Sequence, residues 1–302
     1  MTARLALGVD IGATQTRVGV IDASGQVVGR AAAPTERRPS ANVERVERLA
    51  EEAGFRRLSR AVDAVGICSP GPLDLDAGIV IDIPTLPDWR GFALRAAIGD
   101  AFGLPAVLEG DGVAAAFGEW RFGAGRGMSD LVYVTVSTGI GGGVIADGSV
   151  LRGRRGLAGH VGHMIIAERG ARCSCGAIGC FEALASGSAF AAAARSAGLA
   201  DAPAAVAAAR AGEARALTLV AEEARLLARG FATLAHLFSP ERIIVGGGVS
   251  QAFDLLGPRV RASMRELLMP AFSDVEVVAA ALGDNAGLIG AAALAREAAG
   301  TG

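Results

Sequence analysis

The sequence predicts an α/β protein with two similar domains that face each other across a cleft. Strands followed by alternating helices and strands indicate the α/β class. The segments LALGVDIGATQTRVGVIDASGQV and LVYVTVSTGIGGGVIADGSVL repeat one order of strand, glycine-rich turn, strand and polar turn. A chain of 302 residues is long enough to bury two cores. A chance match between two glycine turns is the alternative explanation of the repeat.

The first domain begins with a predicted antiparallel meander. Strand-like apolar runs cover residues 5–9, 17–21 and 27–31, and short turns join them. A charged helical stretch follows over residues 42–60. The continuous apolar run at residues 61–67 then indicates a strand buried on both faces.

The remaining elements alternate helix and strand. We expect a short helix at 92–102, a strand at 105–108 and a helix that opens at Gly112. After the second strand pair come a cysteine-rich loop, alanine-rich helices over 186–239, a strand at 242–245 and a final helix after Asp284. The low-complexity stretch at 201–216 is interpreted as alanine-rich helix and not as a linker.

Composition excludes several function classes. The chain has no lysine, so all 29 basic residues are arginines, and a P-loop, the strand lysine of protein kinases and Schiff-base chemistry are excluded. The net charge of −2 and the pI of about 6.0 give no reason to expect a nucleic acid or membrane partner. No signal peptide or membrane span is recognisable, so we expect a cytoplasmic protein.

Three glycine-rich strand ends suggest a nucleotide site. The turn from Asp10 to Gln15 offers backbone N–H groups and the Thr14 hydroxyl to phosphate, and the Asp10 carboxylate could hold Mg²⁺ through water. A hairpin whose aspartate caps its own turn is the alternative. The other two are Ser137 to Gly143 and Gly246 to Gly248. None of them has the GxGxxG pattern in a βαβ unit, which makes a dinucleotide site a weak interpretation.

Asp111 follows a predicted buried strand and begins a helix. A carboxylate in this position could accept the proton of an attacking hydroxyl, and phosphoryl transfer needs little more than one base, positioning and charge neutralisation. The alternative is a helix N-cap.

The spacing H-x9-C-x-C-x4-C joins His163, Cys173, Cys175 and Cys180. Three thiolates and one imidazole are a ligand set for tetrahedral Zn²⁺, and four protein ligands would make the zinc structural. Reduced cysteines in a glycine loop are the alternative. Cys68, alone in an apolar strand, is expected in the core.

These motifs together resemble the ROK family (repressors, open reading frames and sugar kinases), which has the actin-like, ribonuclease H-like fold with mixed sheets flanked by helices. The resemblance covers the whole chain and depends on DIGAT, STGIGGG, GLAGHVGH before CSCGAIGCFEALASG, and IIVGGGVS. It implies a first domain of residues 1–118 plus the helix 287–302, and a second domain of residues 119–286.

The resemblance also implies roles for single residues. Asp111 would be the general base of an ATP- and Mg²⁺-dependent hexose kinase that acts commonly on the 6-hydroxyl. Phosphate, Mg²⁺ and adenosine contacts would come from Asp10, Gly12, Thr14, Gln15, Thr138, Gly139, Gly246, Gly247 and Gly248. The sugar would be addressed by Glu182 and His163, and further candidate contacts are His160, Glu109, Gly110 and Thr85. His163 would also bind the zinc.

Several positions depart from the family pattern. DIGGTK is DIGATQ here, with Ala13 and Gln15, and E-N-D-x-N is Glu109-Gly-Asp111-Gly-Val113. Thr85 replaces an asparagine, and His160 replaces the glutamate of AGExGH, as in N-acetylmannosamine kinases. Lost hydrogen-bonding groups suggest another or larger sugar, or weaker catalysis.

The substrate is therefore expected to be an N-acetylhexosamine such as N-acetylmannosamine, or glucose. The alternatives are a kinase for an atypical sugar and a sugar-binding relative without turnover. A repressor is disfavoured because the first strand begins by Leu5, whereas the family's repressors carry a DNA-binding segment before it. The resemblance further implies a homodimer through the second domain, with a tetramer as the alternative.

Overall fold

The computed structural model describes residues 4–58 and 61–300 and has the predicted α/β composition. Contacts divide the described chain into two compact units. Unit 1 contains the residues up to Arg126, Val150–Gly159 and the residues from Asp284 onward, and unit 2 contains Gly127–Ser149 and His160–Gly283. Unit 1 extends past residue 118 because the helix that begins at Asp111 continues to Phe122.

Unit 1 is built on a five-stranded sheet. Its strands are β1 (Leu5–Ile11), β2 (Gln15–Ile21), β3 (Val27–Pro34), β4 (Val62–Ser69) and β7 (Ala106–Gly110), in the order β3-β2-β1-β4-β7. The first three strands form the predicted antiparallel meander, whereas β4 is parallel to both β1 and β7. A separate pair joins β5 (Leu73–Asp74) to β6 (Ile79–Val80).

The helices of unit 1 are α1 (Pro39–Glu52), α2 (Phe55–Leu58), α3 (Leu94–Phe102), α4 (Asp111–Phe122) and α10 (Ala286–Ala298). The single helix predicted at 42–60 is divided, because Gly54 adopts a left-handed conformation with φ +88°. Its predicted end at Arg60 lies outside the described residues, as do residues 301–302 of the predicted last helix.

Glycines bring α10 against α4 and the sheet. A Cβ at Gly290 would overlap the Ala114 carbonyl oxygen of α4, and one at Gly66 of β4 would overlap the Ala291 carbonyl oxygen. Backbone contact of this kind excludes any side chain. The C-terminal helix therefore fixes α4, whose first residue is Asp111, to the sheet.

Unit 2 has a sheet of the same topology. Its strands are β8 (Leu131–Val136), β9 (Ile140–Ala146), β10 (Ser149–Val150), β11 (Arg242–Gly246) and β12 (Glu276–Ala279), in the order β10-β9-β8-β11-β12. As in unit 1, an antiparallel pair (β8 and β9) precedes strands that run parallel to its first member. The common order agrees with the repeat seen in the sequence.

Five helices complete unit 2: α5 (Phe181–Ala185), α6 (Gly187–Ser196), α7 (Ala202–Arg210), α8 (Ala214–Phe238) and α9 (Phe253–Leu267). The stretch at 201–216 is largely helical, as predicted. The core joins buried residues of α8, such as Leu227 and Phe231, to strand residues such as Val134 and Ile243.

In the described part of the chain, none of the helices combines the length and the apolar composition that a membrane span requires.

Candidate functional site

The first glycine-rich turn joins β1 to β2 and is held by backbone bonds. The Gly12 N–H donates to the Gln15 carbonyl over 2.9 Å. Thr35 fastens the turn to the end of β3, since its hydroxyl donates to the Gly12 carbonyl and its N–H to the Thr14 carbonyl. Ala13 and Thr14 are exposed, so the turn presents the Thr14 side chain to solvent.

Asp10 occupies the last part of β1, next to this turn. Its Oδ2 accepts a hydrogen bond from Arg17 Nη1 at 3.1 Å, and its Oδ1 accepts one from the Cys68 thiol at 3.5 Å. Burial raises the pKa of Asp10, and the Arg17 charge acts in the opposite direction. The alternative role predicted for Asp10, capping its own turn, is wrong, because both oxygens bind side chains from β2 and β4.

Asp111 is the first residue of α4, and the N-cap is Gly110. The predicted alternative of an Asp111 N-cap is therefore wrong. Asp111 Oδ1 accepts the Gly112 N–H at 2.7 Å, and the side chain is open to solvent. Protein atoms around the carboxyl nevertheless displace enough water to raise its pKa, and the negative charge of Asp10 raises it further.

Glu109 lies directly before Gly110 and Asp111 and is almost completely buried. Arg152 Nε donates to its Oε2 at 3.0 Å, and the Gly110 N–H donates to its Oε1 at 3.0 Å. Only 3% of the Glu109 side chain is exposed, against 47% of Arg152. Glu109 thus ties the segment Val150–Gly159 to the end of β7. Its predicted contact with a sugar stays a prediction.

Gly110 and Thr85 are two further candidate sugar contacts in unit 1, and both depart from the family pattern. A Cβ at Gly110 would meet no atom within 4 Å, so space is open where the family pattern has asparagine. Thr85 is exposed in the turn before a short 3₁₀ helix, Pro87–Trp89. The buried Trp89 anchors that helix by donating from Nε1 to the Arg37 carbonyl.

The second glycine-rich turn joins β8 to β9 in unit 2 and contacts Glu182. Glu182 Oε2 accepts the Ile140 N–H at 2.9 Å, and it lies so close to Gly139 that a Cβ there would collide with it. Thr138 is exposed at the tip of the turn. Glu182 is on the first turn of α5, directly after Cys180 and the buried Phe181.

The third glycine cluster lies at the same edge of this sheet. Because β8 and β11 are parallel, the ends that precede Ser137 and Gly247 are adjacent. Gly247 has φ +77°, and a Cβ on it would press on the Val136 carbonyl oxygen. Gly248 is exposed with open space beside it. The second and third clusters therefore form one glycine surface.

The predicted metal ligands converge in unit 2. The ligand atoms of His163, Cys173, Cys175 and Cys180 all lie within 4.8 Å of one another. His163 Nδ1 is 3.5 Å from Cys173 Sγ, and Cys175 Sγ is 3.6 Å from Cys180 Sγ. No disulfide joins these cysteines. Three sulfurs and one imidazole at this spacing could hold one tetrahedral metal ion.

Packing links this cluster to the second glycine-rich turn. His163 ends the 3₁₀ helix Val161–His163, in which a Cβ at Gly162 would overlap the Ile140 carbonyl oxygen. The ring of His160 stacks with that of His163 at 6.2 Å. Partial burial lowers the pKa of His160. The loop with the candidate metal ligands thus packs together with Glu182 and the second glycine-rich turn.

Sequence reasoning missed three contacts of the site. The Arg17–Asp10 pair could have been found, because the register of the hairpin places the two residues opposite each other. Nothing in the sequence links Arg152 to Glu109. Cys68 lies in the core as predicted, and it also reaches Asp10.

Two sheets of one topology, each with a glycine-rich turn after its first strand, place the protein in the actin-like α/β class. The sequence profile of the ROK family matches residues 6–298, and the chain belongs to that family. It is 35% identical to a glucokinase of Thermotoga maritima, over 96% of this chain and 97% of that protein. It is 36% identical to an N-acetylmannosamine kinase of Citrobacter koseri, over 96% and 98%.

A solved structure extends the similarity to three dimensions. The crystal structure of a ROK family glucokinase from Streptomyces griseus, in complex with glucose and AMPPNP, matches with a TM-score of 0.85 and 36% identity. The match covers 97% of this chain and 99% of that chain. The predicted family and fold class are confirmed.

Proposed function

We propose that this protein is an ATP-dependent hexose kinase that phosphorylates the 6-hydroxyl of an N-acetylhexosamine such as N-acetylmannosamine, or of glucose. Full-length similarity to both kinds of kinase supports this function. The single observation that carries it is Asp111, a carboxylate open to solvent at the start of α4 and within the electrostatic influence of Asp10.

Asp111 is the general base. The hydrogen bond from Gly112 fixes its carboxylate, and the raised pKa makes it a better proton acceptor than an ordinary aspartate. Asp111 takes the proton of the sugar hydroxyl as the hydroxyl oxygen bonds to the γ-phosphorus of ATP. The bond between that phosphorus and the bridging oxygen breaks, and ADP leaves.

The glycine-rich turns hold the nucleotide. In unit 1, Asp10, Gly12, Thr14 and Gln15 serve the phosphates and Mg²⁺. In unit 2, Thr138 and Gly139 serve the phosphates, and Gly246, Gly247 and Gly248 border the adenosine. The carboxylate of Asp10 is a ligand type that Mg²⁺ accepts directly or through water. When bound, Mg²⁺ would neutralise phosphate charge.

The sugar contacts come from Glu182, His163 and His160 in unit 2 and from Glu109, Gly110 and Thr85 in unit 1. A Cβ at Gly110 would meet no atom within 4 Å, so this position places no side chain in the way of an N-acetyl group. The position of the Glu182 carboxylate depends on the hydrogen bond that it accepts from the Ile140 N–H. Glu109 is paired with Arg152, so it contacts the sugar itself only if that ion pair opens, and otherwise Arg152 makes the contact.

His163, Cys173, Cys175 and Cys180 hold a structural Zn²⁺. The number, type and proximity of the ligand atoms fit this ion, and the four protein ligands leave no position for a reacting group. The zinc secures the loop that leads into α5, the helix that carries Glu182. The domain roles follow the two units, with the base in unit 1 and the zinc and adenosine sides in unit 2. A homodimer is the proposed assembly, and the molar mass in solution tests it.

The test is phosphorylation by Mg²⁺-ATP across N-acetylmannosamine, N-acetylglucosamine, glucose, mannose and fructose. We expect one clear preference, and we expect Asp111→Asn to lower kcat by roughly 10²- to 10⁴-fold. Asp100→Asn, a change to an exposed carboxylate of α3, is the matched control and should leave kcat unchanged. Equal turnover by wild type and Asp111→Asn would show that Asp111 is not the base.

A sugar-binding relative without turnover is the second candidate. It is favoured by Gly110, Val113 and Gln15, because these positions lack the two asparagines and the lysine that the family pattern would offer to a ligand. A Cβ at Gly110 would also meet no atom within 4 Å. Calorimetry with the same five sugars distinguishes the two candidates. Binding of a sugar that is never phosphorylated would support this second function and contradict the first.

A further inference from the structure

Arg17 lies directly opposite Asp10 in the β1–β2 hairpin. The two residues are register partners in an antiparallel pair, so their side chains share one face of the sheet. Arg17 Nη1 donates to Asp10 Oδ2 over 3.1 Å. The backbone pairing of the hairpin therefore fixes this ion pair.

The pair is largely removed from water. Of the Arg17 side chain 23% is exposed, and of the Asp10 side chain 13%. An ion pair at this depth is screened much less than one at the surface. Arg17 Nε is buried and has no hydrogen-bond partner among the described residues, so Asp10 Oδ2 is the only hydrogen-bonded ion-pair partner shown for this guanidinium within residues 4–58 and 61–300.

Both oxygens of Asp10 are engaged. Arg17 holds Oδ2, and the thiol of Cys68 in β4 donates to Oδ1 at 3.5 Å. A thiol is a weak donor, whereas a guanidinium forms strong charge-assisted bonds to carboxylates. Arg17 is therefore the partner that determines the orientation of the carboxylate.

The sequence gives this arginine added weight. The chain has no lysine, and the first glycine-rich turn ends in the neutral Gln15 where the family pattern has a lysine. Arg30 acts on Asp10 through its charge, but Arg17 is the cation that contacts the carboxylate.

We propose that Arg17 is a positioning residue. It holds Asp10, beside the first glycine-rich turn, in the orientation that the Mg²⁺-ATP site requires. This inference rests on the proposed function for the identity of the ligand. Arg17 acts through Asp10, with which it forms the ion pair.

The test compares Arg17→Met and Arg17→Lys with Arg4→Met. Arg4 is the matched control, because it lies just before β1, at the end away from Asp10. Its ion pair with Asp63 is exposed and therefore contributes little to stability. Calorimetry gives the Kd of ATP with Mg²⁺ and with EDTA. Steady-state kinetics give kcat and the KM values for ATP and sugar.

In Arg17→Met we expect the gain in ATP affinity that Mg²⁺ provides to fall by about 10- to 100-fold, the usual effect of removing a residue that orients a metal ligand. The KM of the sugar should stay unchanged. Arg17→Lys should recover part of the loss, since it keeps the charge but not the fork geometry. Arg4→Met should match the wild type.

A double-mutant cycle separates positioning from a general loss of stability. In the Asp10→Asn background there is no carboxylate charge to orient, so Arg17→Met should add little further loss of Mg²⁺-ATP affinity. Urea unfolding of ligand-free wild type, Arg17→Met, Asp10→Asn and the double mutant should show the same coupling between the two side chains. Unchanged Mg²⁺-ATP affinity in Arg17→Met, or equal losses in both backgrounds, would overturn the proposal.

The outcomes distinguish this inference from the proposed function. A wild type that binds Mg²⁺-ATP but phosphorylates no sugar would contradict the kinase activity, and the affinity of Arg17→Met would still decide the role of Arg17. A wild type that binds no ATP would contradict both.

Discussion

Two carboxylates of unit 1 differ in what surrounds them. Asp10 has an arginine and a thiol as partners, whereas Asp111 has one backbone N–H and open solvent. Loss of water and the charge of Asp10 both raise the pKa of Asp111. Asp10 is therefore held by side-chain contacts, whereas Asp111 is exposed, and this is why we propose Asp111 as the base.

The pH dependence of catalysis should show this raised pKa. A base must be ionised, so kcat/KM should fall as the pH decreases through the pKa of Asp111, which lies above the ordinary 3.8. Asp10→Asn removes one cause of the shift, and the acid limb of its residual activity should move to lower pH. Measuring kcat/KM against pH for both proteins tests this, and an acid limb that stays in place would contradict the assignment.

Single residues show how far sequence reasoning extends. Asp111, Glu182 and the four candidate sulfur and imidazole ligands could be predicted because their motifs are local. The Arg152–Glu109 pair joins residues 43 positions apart. Such a contact depends on the tertiary path of the chain, and no spacing in the sequence predicts it. The position of Asp111 as the first helical residue, after the Gly110 N-cap, also emerged only from the backbone.

At the scale of elements, contacts between α4 and α10 hold the proposed base, Asp111, in place. Gly118 of α4 and Gly290 of α10 meet the partner helix through backbone atoms. Both helices also belong to unit 1, although they are far apart in sequence. The orientation of Asp111 therefore depends on the packing between α4 and α10.

Gly290→Ala should lower both stability and activity. Its Cβ would overlap the Ala114 carbonyl oxygen, so α10 must shift away from α4, and overpacking of this kind typically costs about 1–3 kcal/mol. Urea unfolding measures the loss, and kcat should fall with it because Asp111 moves. Ala298→Ser at the exposed end of α10 is the control. An unchanged unfolding free energy in Gly290→Ala would contradict this packing.

Elements were predicted where periodicity or apolar runs were long. The meander, the buried strand β4 and the helices of the alanine-rich stretch all appeared. The division of the helix predicted at 42–60 was not foreseen, because Gly54 was not recognised as a left-handed terminator. Strand β12 was also missed, since its four residues are too few to show a pattern.

At the scale of the whole molecule, one topology occurs twice. Each unit places a glycine-rich turn after the first strand of its sheet. In unit 2 the turn also packs against Glu182 and the metal-ligand loop. The predicted zinc would therefore stabilise a part of the site as well as a loop.

Removing the metal should disturb this turn. Metal analysis of protein purified without chelator should give about one zinc ion per chain, and Cys175→Ser should abolish it. Without zinc, we expect faster hydrogen exchange of the Ile140 amide, which donates to Glu182, and a loss of kcat/KM of about 10- to 100-fold. Cys68→Ser, outside the cluster, should keep the metal. Slow Ile140 exchange in zinc-free protein would refute the link.

The most direct test of the account is mass spectrometry of the sugar after reaction with ATP labelled at the γ-phosphoryl group. We expect wild-type protein to transfer the label to one hexose, the product to be a 6-phosphate, and Asp111→Asn to form it at a rate lower by roughly 10²-fold or more. Labelled inorganic phosphate without any labelled sugar, or an equal rate in Asp111→Asn, would contradict it.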